Sequence, residues 1–277
     1  MSAHPRNPAG AAPAPAAAAR RRTRVRRGAA ATAAAVALAL GLGACSMETT
    51  APADARAKAL ADGRTISPSG PTEPVDCERA KCIALTFDAG PGKDTPELLD
   101  TLERERVPAT FFLMGRNHIV RYPKVVKRLY AEGHEVANHT WNHRRLDTLK
   151  RDEIRTELER VQVALEKLTG ERPTLMRPPQ GRINDDVTAV SKELGLAQIL
   201  WSATAKDYST NDSKLIEKRI LKQASRDGVI LLHDIYDGTV PAVPGIIERL
   251  KERGYTFVTV SQLLAPAQAN PGEIYRP

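Results

Sequence analysis

The chain has 277 residues, of which 42% are hydrophobic, 27% charged and only 4% aromatic, enough apolar material for one large core or two small ones. Its formal charge of +8 does not mark a nucleic-acid binder: residues 1–44 hold seven arginines and no acid, and without them 34 basic residues face 33 acidic ones, which supports no groove for a phosphate backbone. The composition also excludes a collagen-like chain, a cysteine-dense mini-domain and a polytopic membrane protein.

Arg20–Arg27 is cationic, and Gly28 to Ala44 is an Ala/Leu/Val stretch that ends Leu42-Gly43-Ala44-Cys45. It is the size of a signal-peptide core and short for a stable span. Small residues before a cysteine resemble a bacterial lipoprotein signal, so residues 1–45 read as that signal and Cys45 as the lipidated residue. Plain secretion and an uncleaved anchor are the other readings; all three put the rest of the chain outside the cytoplasmic membrane. Residues 46–74, rich in Ala, Pro, Ser, Thr and Gly, can bury little and read as a flexible tether. In an exported protein the close pair Cys77 and Cys82 reads as a disulfide stapling the entry to the first strand, with free thiols as the alternative. A zinc site is poorly supported, because no further ligands are spaced nearby.

From Lys81 onward the pattern alternates. Short apolar runs predict strands over 82–87, 109–114, 135–138, 174–177, 197–203, 228–232 and 256–260. Between them, helical spacing predicts helices over 96–105, 122–132, 151–169, 184–194, 213–224 and 243–253. The one at 151–169 has the clearest stripe: Ile154, Leu158, Val161, Leu165 and Leu168. Parallel strands need right-handed crossovers, so the helices wrap the outside of an open doubly wound sheet or a closed barrel. Asp88-Ala89-Gly90-Pro91 after the first strand has an acid and a proline where a nucleotide loop needs free amides. Residues 75–265 thus form one domain, and 266–277 a Pro-rich tail, disordered or draped on the surface.

The polar residues fall at strand ends. Asp88 ends the first strand, His139 and His143 follow the third, Arg177 ends the fourth, Asp207 follows the fifth, and His233 with Asp234 ends the sixth. In a parallel barrel these ends converge on one face, where such folds keep their chemistry. A single polar residue there is usually a cap. Carboxylates, three histidines and an arginine at five such ends are hard to explain that way. His139 and His143, four apart, share a face on a helical turn and suit one cation.

The ordered set Thr86-Phe87-Asp88-Ala89-Gly90-Pro91, His139-Thr140-Trp141-Asn142-His143, Arg177-Pro178-Pro179-Gln180-Gly181, Asp207-Tyr208 and Leu231-Leu232-His233 resembles the polysaccharide deacetylase family, the NodB-homology domain of carbohydrate esterase family four. The resemblance implies a distorted, TIM-barrel-like (β/α) barrel of seven or eight units. It also implies metal-dependent removal of acetyl groups from N-acetylglucosamine polymers such as peptidoglycan and chitin, or from acetylated xylan. The implied roles are Asp88 as general base, His139 and His143 as ligands of a divalent ion (zinc or cobalt), and Arg177 orienting Asp88. The backbone amide of Gln180 would bind the oxyanion, Leu232 would line the acetyl pocket and Tyr208 would form a wall. His233 would be the general acid, held charged by Asp207. The implied partners are an acetylated amino-sugar polysaccharide and, through Cys45, the membrane.

One residue departs from the pattern. The family usually has a second aspartate, its third metal ligand, where this chain has Ala89. Either water or another oxygen ligand (Asp94 or Asn138 by proximity in sequence) completes the site, or Asp88 becomes a ligand, or the chain is a glycan-binding lipoprotein without turnover. The surviving base, acid, arginine and histidine pair favour an enzyme.

Overall fold

The computed structural model describes residues 47–65 and 74–277. The signal segment and Cys45 lie outside the described residues, as do residues 66–73 of the expected tether. The central strand β1 (Lys81–Asp88) is almost wholly buried. Its alternation sorts two faces: Ile83, Leu85 and Phe87 enter the main hydrophobic cluster, and Cys82 and Ala84 enter a second cluster. Thr86 and Asp88 continue that second face, so the first motif delivers its carboxylate to the same side as the smaller core.

The chain continues α2 (Thr95–Glu105), β2 (Thr110–Leu113), α3 (Pro123–Ala131), β3 (Glu135–Asn138), α4 (Arg151–Thr169), β4 (Leu175–Met176), α5 (Asp185–Glu193), β5 (Ala197–Ile199), β6 (Ala203–Thr204), α6 (Ser213–Gln223), β7 (Gly228–Leu232), α7 (Thr239–Glu252), β8 (Tyr255–Val258), α8 (Val260–Leu264) and β9 (Ile274–Tyr275). The sheet order is β6-β7-β1-β2-β3-β4-β5-β9, with β8 also on β1. Every paired neighbour is parallel. β1 gives one edge to β7 and divides the other between β8, beside Lys81–Ala84, and β2, beside Thr86–Asp88. The result is a distorted (β/α) barrel with all C-terminal strand ends on one rim.

Several expectations need correction. The predicted strand over 197–203 is two strands, because the backbone changes partner: Leu200 donates to Tyr275 and Ser202 to Val229. The predicted helix from 243 begins at Thr239. Pro241 lies in its first turn, where no donor is needed, and Pro244 is accommodated within the helix. The tail is not draped: Ile274 and Tyr275 are buried and pair with β5.

The tether is not free over its first part. Thr50 bridges to Tyr275, and Pro52–Ala61 forms helix α1. Arg56, 2% exposed, ion-pairs with Glu78 at 2.6 Å and Asp227 at 3.2 Å and donates to the Leu263 carbonyl. Cys77 and Cys82 form a disulfide.

Candidate active site

Asp88 stands at the end of β1, 3% exposed. Arg177, fully buried just beyond β4, donates from Nη1 to Asp88 Oδ1 at 2.6 Å and to Thr86 Oγ1 at 2.7 Å, and from Nε to the Ile199 carbonyl. Its guanidinium lies 4.0 Å from the centre of the Phe112 ring and 5.7 Å from that of Trp201. A planar cation gripped this way fixes which carboxylate oxygen it occupies. Oδ2 is left facing His139, whose Nε2 is 3.9 Å away.

His139 and His143 lie on the loop after β3, their ring centroids 4.9 Å apart. His139 Nδ1 donates to the Arg177 carbonyl at 2.8 Å, so its lone pair is on Nε2. Burial lowers His139 to a pKa of about 4 against the opposing pull of Asp88. Burial likewise lowers His143, opposed by Asp88 and reinforced by His233 and His118. Both shifts favour the neutral imidazole near pH 7. The loop takes left-handed backbone at Thr140 (φ 69°) and His143 (φ 57°). Glu157 of α4 holds it there, accepting from the Trp141 and Asn142 amides and from Asn142 Nδ2 at 2.7 to 3.1 Å.

His233 follows β7. Its Nδ1 lies 2.9 Å from Asp207 Oδ1, and its amide donates to Asp207 Oδ2 at 2.7 Å. Thr239 Oγ1 also donates to Oδ2, which pins a carboxylate only 1% exposed. Burial alone would lower the His233 pKa; the Asp207 hydrogen bond and the charges of Asp207, Asp88 and Asp234 raise it overall. Tyr208, 57% exposed, and the half-buried Tyr236 stand edge-on to the imidazole at 6.2 and 5.4 Å.

The structure thus joins Asp88 to Arg177, and His233 to Asp207, on the rim that bears the histidine pair. Gln180 sits on the same rim in left-handed backbone (φ 60°). Leu232, expected to line the acetyl pocket, has no exposed surface and packs in the main core instead. Sequence reasoning missed Glu157, Thr239 and Tyr236; it named Asp234 only as one of the strand-end carboxylates and Thr86 only as part of the first motif, with no role for either. Only Glu157 left a clear signal, a charge within the apolar stripe of α4 between Ile154 and Val161.

By charge state and proximity His139 and His143 fit a divalent ion, whereas residue 89, where the family resemblance implies a third ligand, is alanine. Among the described residues no group of three or more His, Cys, Asp or Glu side chains is gathered for a metal. The two suggested substitutes are otherwise engaged. Asn138 Nδ2 donates to Leu158 and Gln162, and its Oδ1 accepts the Thr140 amide. Asp94 pairs with Lys93.

Residues 76–199 match the polysaccharide deacetylase family. A peptidoglycan-N-acetylglucosamine deacetylase of Bacillus cereus is 38% identical over 190 residues, 66% of this chain and 88% of that protein. The peptidoglycan-N-acetylglucosamine deacetylase PgdA of Listeria monocytogenes is 39% identical over 184 residues, and this chain spans only 39% of its length. A solved structure described as T48 deacetylase with substrate is 37% identical with a TM-score of 0.69, covering 73% of this chain and 99% of the other. The chain belongs to the polysaccharide deacetylase family, carbohydrate esterase family four.

Proposed function

We propose that the chain is a hydrolase that removes N-acetyl groups from N-acetylglucosamine-containing polysaccharide of the peptidoglycan type. The observation that carries this reading is a pair of oriented acid–base couples, Asp88 with Arg177 and Asp207 with His233, on the rim that bears two neutral imidazoles. The names of the relatives support the substrate class.

An amide resists hydrolysis because its carbonyl is weakly electrophilic and its amine leaves poorly. Asp88 Oδ2, with Oδ1 committed to Arg177, takes the proton of the attacking water. His233, its Nδ1 tied to Asp207, gives a proton from Nε2 to the departing nitrogen. The Gln180 amide supports the oxyanion, and Tyr208 and Tyr236 offer aromatic edges to a sugar. His139 and His143 would hold a divalent ion, zinc or cobalt, which when bound lowers the pKa of water and polarises the carbonyl. The protein acts outside the cytoplasmic membrane, tethered by a lipid on Cys45.

Ala89 favours a second reading, a glycan-binding lipoprotein without turnover. Acetate release from N-acetylglucosamine oligomers, peptidoglycan and acetylxylan, with and without added Zn²⁺ or Co²⁺, separates the cases. The hydrolase reading expects acetate from the first two and about a 100-fold loss or more in His233→Ala. Oligomer binding with no acetate under any metal supports the second reading. Acetate from acetylxylan alone supports an O-acetyl esterase.

A further inference from the structure

Apart from its charge, which helps raise the His233 pKa, Asp234 has no part in the proposed chemistry, yet it is fully buried next to His233 in the chain. Its Oδ2 accepts from Thr95 Oγ1 at 2.5 Å, and Thr95 Oγ1 accepts the Gly92 amide at 2.7 Å. Its Oδ1 has no hydrogen-bond partner among the described residues. No cation pairs with it among the ion pairs of the described residues; an uncompensated buried carboxyl is costly and calls for a reason. The reason lies across the gap: a Cβ on Gly90 would overlap both carboxyl oxygens and come within 2.6 Å of Cγ. Gly90 is not in the left-handed region, so packing, not backbone freedom, demands glycine there. From the other side the turn is held by β2 and the residue after it: the Ala89 amide donates to the Phe112 carbonyl and the Met114 amide to the Gly90 carbonyl.

We infer that Asp234 is a positioning residue: wedged against Gly90 and linked through Thr95 to Gly92, it fixes the turn that carries Asp88 relative to His233, its own neighbour in the chain. Its catalytic meaning rests on the reading of Asp88 and His233 as base and acid. The spacing of the two groups is then set by one side chain that bridges the first and last motifs. Misplacement of about 1 Å can cost about 100-fold in rate.

The test has two arms. The first needs no activity. Gly90→Ala alone should lower the melting temperature by roughly 5 °C or more, as overpacking does. In an Asp234→Ala background the same change should cost less than half as much, because the overlap is gone. In Asp234→Ala the Gly92 amide should also exchange its hydrogen faster, with no change at β3. Equal losses in both backgrounds, or unchanged exchange at Gly92, would overturn the wedge.

The second arm reads catalysis. Asp234→Ala and Thr95→Val should lower kcat by about 10-fold or more with KM within about 2-fold, and Asp234→Asn, which keeps the shape, should restore most of it. Unchanged kcat in Asp234→Ala, or Asp234→Asn as poor as Asp234→Ala, refutes positioning by shape. Should the wild type release no acetate, the hydrolase reading fails, and the first arm alone decides whether Asp234 sets the turn.

Discussion

Ala89→Asp tests the site at its weakest point. Ala89 occupies left-handed backbone at φ 65°, where aspartate is tolerated better than alanine. The replacement therefore adds no backbone strain, and it brings a carboxylate to the residue after Asp88, whose Oδ2 lies 3.9 Å from His139 Nε2. Loss of a partner behind a metal ligand costs about 10 to 100-fold in affinity, so a gained ligand should be worth at least that. Isothermal titration with Zn²⁺ or Co²⁺ should show a dissociation constant at least tenfold lower than wild type, and His139→Ala should abolish the gain. The same number can be read from stability. With metal in excess of both dissociation constants, a 100-fold tighter site adds about 2.7 kcal/mol of stabilisation. At about 2–4 °C per kcal/mol for a domain this size, the metal-loaded variant should melt about 5–10 °C further above its metal-free form than wild type does. An unchanged dissociation constant would refute the placement of residue 89 beside the imidazoles.

Arg177→Met should destabilise the fold by about 3–5 kcal/mol, since it leaves Asp88 buried without its cation; a urea midpoint close to wild type would contradict the pairing. Asp207→Asn removes the strongest influence that raises the His233 pKa, so the alkaline limb of the kcat/KM profile should move to lower pH, and an unmoved limb argues against His233 as the acid. His134, 6% exposed, accepts the Ala109 amide on Nδ1, and burial, with Arg128 adding, lowers its pKa from 6.5 to about 4. The unfolded chain therefore binds more protons between those values, and stability present above pH 6.5 falls as pH drops toward 4, by about 3 kcal/mol for this group. His134→Asn, which keeps an acceptor, should flatten that slope in urea titrations at pH 7, 5.5 and 4.5. Cys77→Ser with Cys82→Ser should cost about 2 kcal/mol for so short a closed loop, measured by chemical denaturation.

The alternation of apolar runs with helical stripes made a parallel α/β fold legible, because parallel strands buried on both faces leave continuous hydrophobic letters; it left open sheet and closed barrel as alternatives, and only the family resemblance pointed to the barrel. Strand-end polar residues were legible for the same reason: Asp88, His139, Arg177 and His233 interrupt or end those runs. What escaped was set by contacts remote in sequence. Thr86 looks like a strand threonine until Arg177 reaches it from 91 residues away. Asp234 looks like a turn residue until Gly90 is seen against it. Pro241 and Pro244 hid the start of α7, because proline is read as a breaker wherever the first turn is not recognised. The ordered tail and α1 were missed because Ala, Pro and Gly composition says nothing of an edge waiting for a strand or of two carboxylates waiting for Arg56.

That last arrangement matters for anyone handling the protein. The family match begins at residue 76, but the folded body has already begun by Thr50, which borders β9, and by Arg56, the shared counter-ion of Glu78 and Asp227. An expression clone trimmed to the recognised homology would strip a strand edge and strand an acidic pair together. Poor yield from such a fragment would report the cut, not the scaffold.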